Sequence, residues 1–109
     1  MTAVTFFTEH EEIVGFYIAG HSTKNENDIE GKTVCAAVSS AAYMTVNTIT
    51  EIIGAKADAN ADNGAMLFMV DEPCERTETV LKGLELHLTE LSKQYPENIK
   101  IIYGGVKNA

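Results

Sequence analysis

Hydrophobic and polar positions divide the chain into six regular segments. From Ala3 to Glu9 they alternate around Phe6 and Phe7, the period of two expected of a strand with one buried face. His10, Glu11 and Glu12 supply a turn. Ile13 to Ala19, rich in β-branched and aromatic residues, reads as the second strand of a hairpin, which Gly20 ends. Residues 22–31 are polar and show no apolar periodicity, so they read as a loop. From Thr33 to Ile53 the spacing turns helical, with Val34, Val38, Ala41, Thr45, Ile49 and Ile52 on one face. Thr33 is the expected N-cap and Gly54 the residue that closes the helix.

Ala55 to Asn63 is a polar connection with room for a short extended piece, and Asp62-Asn63-Gly64 is a turn signal. Ala65 to Val70 is continuously apolar, the pattern of an inner strand covered on both faces. Asp71-Glu72-Pro73 opens a second helix whose core stripe is Val80, Leu84, Leu88, Leu91 and Tyr95, with Leu81 beside it. Leu86 lies off that stripe, either a lone exposed leucine or part of a subunit contact. Pro96 stops the helix, Ile99 to Tyr103 forms the last strand, and residues 104–109 are expected to fray. The predicted fold is α+β in two layers: a mixed four-stranded sheet carrying two helices, in the order β-β-α-β-α-β.

At 109 residues the chain is a single domain, residues 1–109, long enough to bury a core without metal or disulfide staples. Sixteen acidic residues against eight basic ones leave a formal charge of −8. The basic residues are scattered, which argues against direct nucleic-acid binding, while the acidic balance either favours a basic protein or peptide partner or simply serves solubility. Two cysteines make no disulfide framework, and no paired-ligand pattern suggests zinc. No metal or other cofactor is expected. The N-terminal residues lack an export signal and no apolar run approaches membrane-spanning length, so the expected location is cytoplasmic.

Candidate chemistry lies between Gly20 and Ser40. A histidine, His21, follows the second strand, and Cys35 stands where the first helix is expected to begin. A thiol in the first turn of a helix faces unpaired N–H groups and the positive end of the dipole, which favour the thiolate. A histidine beside it can take its proton and return it to a leaving group. Backbone N–H groups near residues 35–37 would then stabilise the oxyanion. The alternative is that Cys35 is a small buried hydrophobe in an Ala/Val-rich helix. The loop is either a plain surface connection or a lid that orders over substrate. Cys74, His10 and His87 read as structural or surface residues.

Gly20-His21 followed by Val34-Cys35-Ala36-Ala37-Val38-Ser39 resembles the ribosomal-processing cysteine proteases (Prp), a family of small bacterial proteins. The resemblance extends over nearly the whole chain, through the Asn-Gly turn with its apolar strand, the helix ending near Tyr95, and the closing Asn-Ile-Lys-Ile strand. It implies a homodimeric cysteine endopeptidase that removes a short N-terminal extension, with a hydrophobic, aromatic-containing cleavage motif, from the precursor of a large-subunit ribosomal protein. By the same resemblance Cys35 is the nucleophile and His21 the base. Gly20, Ser22, Asp28, Glu30, Ala36 and Ser39 are the expected supporting or substrate-binding positions. The family commonly carries an acidic residue three positions before the cysteine, where this chain has Lys32. Asp28 and Glu30 are the loop carboxylates available in its place, while Lys32 could itself stabilise the thiolate. Two rival functions are a non-catalytic ribosome-assembly or interaction module binding a basic ribosomal protein, and a thiol redox protein using Cys35 with Cys74.

Overall fold

The computed structural model describes residues 1–105. Strands β1 (Thr2–Glu9) and β2 (Glu12–Ala19) form a hairpin across a two-residue turn, His10-Glu11, in which both residues have positive φ. Helix α1 (Ile29–Asn47) runs into a wider π-helical turn, Thr48–Ile53. Strands β3 (Ala57–Asp62) and β4 (Ala65–Val70), helix α2 (Glu75–Gln94) and strand β5 (Ile99–Gly105) complete the chain.

The sheet has five strands in the order β3-β4-β2-β1-β5, not the four expected. Among the described residues only the β1–β5 pair is parallel. The additional strand is β3, whose alanines 57, 59 and 61 pair with Val70, Phe68 and Met66. Only Ala57 is half-buried; Asp58, Asn60 and Asp62, and also Ala59 and Ala61, are exposed. Alanine is a weak apolar marker and Asp and Asn are poor strand formers, so the alternation carries little signal. The neighbouring pairing sustains this strand at the sheet edge.

One row of cross-strand partners spans the sheet, exposed at its two ends and buried at its three central positions. Ala59, Phe68, Phe16, Phe6 and Tyr103 are successive partners from β3 to β5. The Phe16 and Phe68 rings are 5.5 Å apart, within the range of favourable aromatic contact. Above this row Val34, Val38, Ala42 and Ile49 descend from the first helix, and Leu81, Leu84 and Leu88 from α2. Both helices therefore cover the same face. Strand β4 is internal to the sheet as its apolar run suggested, but it is not covered twice: Leu67 and its partner Tyr17 are exposed on the opposite face.

Several boundaries move for identifiable reasons. Helix α1 begins at Ile29 with Asp28 as its N-cap, several residues before Thr33. Ile52 is exposed although Ile49 is buried, because the π turn breaks the 3.6-residue phase that placed them together. Gly54 closes that turn in the left-handed conformation. Helix α2 starts after Pro73, capped at Cys74, and Leu86 is 65% exposed. Gly104 and Gly105, expected in a frayed tail, continue β5; residues 106–109 of that tail lie outside the described residues. Among the described residues no helix is long and apolar enough to cross a membrane.

The aromatic row identifies the most sensitive core position. Phe68 is fully buried between Phe16 and Ala59 on an inner strand. Phe68→Ala is expected to cost about 3–5 kcal/mol, read as a fall in the denaturant midpoint with an unchanged slope.

Candidate active site

The sheet brings several chain segments to one end. The C-terminus of β2, the N-termini of β1, β4 and β5, and the C-terminus of β3 all meet there, since Ala19 pairs with Ala3, Ile18 with Met66, Thr2 with Ile99, and Asp62 with Ala65. Gly20, His21 and Ser22 leave β2 at this end, and the Asn63-Gly64 turn of the β3–β4 hairpin lies beside them. The turn touches the histidine directly: a Cβ built on Gly64 would stand 3.0 Å from His21 Cε1 and 3.3 Å from Nε2. The His21 ring thus lies on a residue with no side chain and is otherwise exposed.

The first helix reaches the same end through a close backbone approach. A Cβ at Gly31 would clash with Asp28 Oδ2 and would meet the Ser22 carbonyl at 2.7 Å and Thr23 Cα at 2.8 Å. Only glycine allows α1 to pack this tightly on the Ser22-Thr23 main chain. Cys35, one turn further on and half-buried, then receives a hydrogen bond from the Ser22 main-chain N–H, N to Sγ 3.2 Å. The residue after His21 is therefore in contact with the thiol, across thirteen positions of sequence.

The helix start corrects two expectations. Cys35 lies seven positions after its N-cap, beyond the first turn, where the dipole effect has largely faded. The main-chain N–H groups of residues 35–37 are inside the helix and bond to carbonyls four residues back, so they are not free oxyanion donors. The segment read as a loop to residue 31 is likewise shorter, since residues 29–31 are helical. What remains is internally bonded: Asn27 N–H donates to Asn25 Oδ1, Asp28 N–H to the Asn25 carbonyl, and Lys24 N–H to Asp28 Oδ2.

The two candidate carboxylates do not serve His21 in this arrangement. Asp28 spends its oxygens on the Gly31 and Lys24 N–H groups, which cap the helix and hold its carboxyl below the usual carboxylate range. Glu30 is exposed in the first turn of α1, and among the described residues neither carboxylate is hydrogen-bonded to the histidine. Lys32 and Ala36 are exposed on α1. Cys35 and Cys74 are both free thiols. The Thr77 main-chain N–H, with the Thr77 hydroxyl, lowers the Cys74 thiol, so this exposed cysteine is a competing target for thiol reagents.

A cavity of about 280 Å³ lies against the Asn63-Gly64 turn on which His21 rests. Ser39 and Tyr43, one and two turns after Cys35 along α1, form one wall; Asp62, Asn63 and Gly64 of the hairpin form another. Ser39, expected at the site or as a helix-packing residue, lines this cavity one turn after Cys35. Gly64, Tyr43, Thr2 and Asn98 were not singled out from the sequence. The Asn63-Gly64 pair was legible as a turn but carried no indication that His21 would lie on it. Thr2 and Asn98 join Ser22 in a buried hydrogen-bonded cluster and have no local sequence signature.

A family model described as cysteine protease Prp matches residues 1–100. The fold is similar to the essential ribosomal processing protease Prp from S. aureus with a covalently linked product peptide, at 24% identity and a TM-score of 0.83, over 95% of this chain and 100% of that one. The same S. aureus protease with a substrate peptide gives 21% identity and a TM-score of 0.84, over the same shares. A Streptococcus mutans protein, SMU.848, gives 19% identity and a TM-score of 0.81, over 97% of this chain and 96% of that one. No curated protein sequence matches the chain.

Asp28 yields a pH-dependent prediction. Its donors hold the carboxylate form, so its contribution to stability is full above the ordinary carboxyl range and is lost as pH falls through its lowered folded-state pKa. Asp28→Ala should melt below the parent at neutral pH, and the gap should close below about pH 4. Thermal unfolding at a series of pH values measures both.

Proposed function

The chain belongs to the cysteine protease Prp family, and on that premise we propose that it removes the N-terminal extension from the precursor of a large-subunit ribosomal protein, with Cys35 as nucleophile and His21 as general base. The observation that carries this reading is the hydrogen bond from the Ser22 N–H to Cys35 Sγ, because it ties the residue adjoining His21 to the thiol. The S. aureus protease of the same family and fold, with product peptide covalently attached, supports it further.

In the reaction His21 takes the proton of the Cys35 thiol and the thiolate attacks the scissile carbonyl carbon. As the tetrahedral intermediate collapses, the C–N bond breaks and His21 passes its proton to the leaving amine. The acyl group remains on sulfur as a thioester. His21 then takes a proton from water, the hydroxide adds to the thioester carbonyl, and Cys35 leaves as thiolate. No cofactor or metal takes part. The cavity beside His21 has the volume for a substrate side chain, and Ser39 and Tyr43 line it on the nucleophile's own helix. The formal charge of −8 suits a substrate drawn from a basic ribosomal protein.

The enzyme acts in the cytoplasm as a homodimer and does not bind nucleic acid directly. Exposed Leu86, on the outer surface of α2, supports a subunit contact on the helix layer.

A synthetic peptide spanning the precursor's N-terminal extension tests the assignment. Cys35→Ala should stay folded, since the position already sits in a turn of small residues, and should show no cleavage; turnover above background would remove Cys35 as nucleophile. His21→Ala should lower the rate by about 10²–10⁴-fold, the usual worth of a general base. It should also move iodoacetamide labelling of Cys35 to higher pH. An unchanged labelling profile would show that His21 is not the thiol's partner.

A further inference from the structure

Thr2, Ser22 and Asn98 are all buried, at 3%, 3% and 6% exposure, and their polar groups satisfy one another. The Ser22 hydroxyl donates to the Asn98 main-chain carbonyl at 3.1 Å. Its single proton is thereby used, so in the 2.6 Å contact between Thr2 Oγ1 and Ser22 Oγ the threonine is the donor. Asn98 Nδ2 donates to the Ser22 carbonyl at 2.9 Å. The Thr2 N–H donates to the Asn98 carbonyl at 2.8 Å, which locks the starts of β1 and β5 together beneath Ser22.

Every polar group of Ser22 but one is thus held by residues from the two ends of the described chain. The one left over is its main-chain N–H, and that N–H is the group on Cys35 Sγ. A serine held in place by its hydroxyl and its carbonyl presents its amide in a fixed direction. An N–H aimed at a sulfur favours the charged form of that sulfur.

We propose that Asn98 and Thr2 are positioning residues of the active site: through Ser22 they hold its main-chain N–H on the Cys35 sulfur and so stabilise the thiolate. The proposal rests on the cysteine-protease reading for its consequence in catalysis, but the state of the thiol can be read without substrate. The cluster is far from Cys35 in sequence, by 33 positions for Thr2 and 63 for Asn98. It contains no titratable side chain. The charged groups around this segment are His21, whose carbonyl accepts from the Met1 ammonium, the Asp28 carboxylate capping the helix beside the Ser22 main chain, and exposed Lys32 three residues before the cysteine; all are retained in the variants below.

The test uses the full chain carrying Cys74→Ser, so that Cys35 is the only thiol; serine is a favoured N-cap residue and preserves the start of α2. The readout is the pH at which iodoacetamide labelling reaches half its maximal rate. Asn98→Ala should raise that pH by about half to one unit, the effect of loosening one hydrogen bond to a charged group. On a cleavable peptide it should lower kcat about tenfold with KM within about twofold, because the bond acts on the nucleophile and not on the bound peptide. Thr2→Val, nearly isosteric and suited to a strand, should raise the labelling pH in the same direction, and Thr2→Ser should restore the parent profile by returning the hydroxyl. A rise in Thr2→Val that Thr2→Ser does not share supports the proposal. Parent-like labelling in Thr2→Val, or an equal rise in both Thr2 variants, overturns it. If Asn98→Ala does not fold, the Thr2 pair alone decides. Since labelling requires no peptidase activity, a failure of the protease assignment would leave this result standing and separately readable.

Discussion

The fit of Gly31 against the Ser22-Thr23 main chain is the constraint on which the arrangement of the site depends. Two large pieces meet there: the hairpin end carrying His21, and the helix carrying Cys35. The helix is itself anchored by Val34, Val38 and Ala42 over the aromatic row of the sheet, so its axis has little freedom. With the axis fixed, the residue that faces the hairpin end one turn after Gly31 is Cys35. Any side chain at position 31 would lift the helix off Ser22 and carry the sulfur away with it.

The same packing decides which groups are available for chemistry. By capping the helix early, Asp28 places Cys35 within the helix body and consumes the N–H groups that a helix terminus would have offered. The thiol then depends on a donor from outside its own helix. Ser22 supplies one, and its other polar groups are engaged elsewhere. The site is assembled from β2, the first helix and the β3–β4 turn, with the starts of β1 and β5 as its foundation.

The sheet explains why such distant residues can act together. In the order β3-β4-β2-β1-β5 the strand that delivers His21 is central, flanked by β1 and β4. Its C-terminal end is therefore surrounded by the ends of all the other strands. The parallel β1–β5 pair brings Thr2 and Asn98 to one level, which an antiparallel pairing would not do. A continuous row of one residue per strand crosses the sheet, from exposed Ala59 at the β3 edge through three buried phenylalanines to exposed Tyr103 at β5.

Much of this was determined by sequence alone. The strong periodicities of β1, β2 and α2, the apolar run of β4, the left-handed Gly54 and the Gly-His and Val-Cys-Ala-Ala-Val-Ser segments are local signals, each readable within about a dozen residues. Strand β3 was half legible: Asn63-Gly64 is the strongest short hairpin signal, and it required a strand before it as well as after. Its alanines and aspartates hid that strand, because its stability comes from pairing with β4 and not from its own residues. The helix start was misplaced for a related reason, since Thr33 and Asp28 are both good caps and only packing against Ser22 chooses between them. Tertiary structure alone decided what surrounds the thiol. The contact of Ser22 with Cys35, the seat of His21 on Gly64 and the Thr2–Ser22–Asn98 cluster join residues 13 to 76 positions apart. Hydrogen bonds over such separations leave no period or motif in the chain; they exist only once the sheet and helix have fixed where each residue stands.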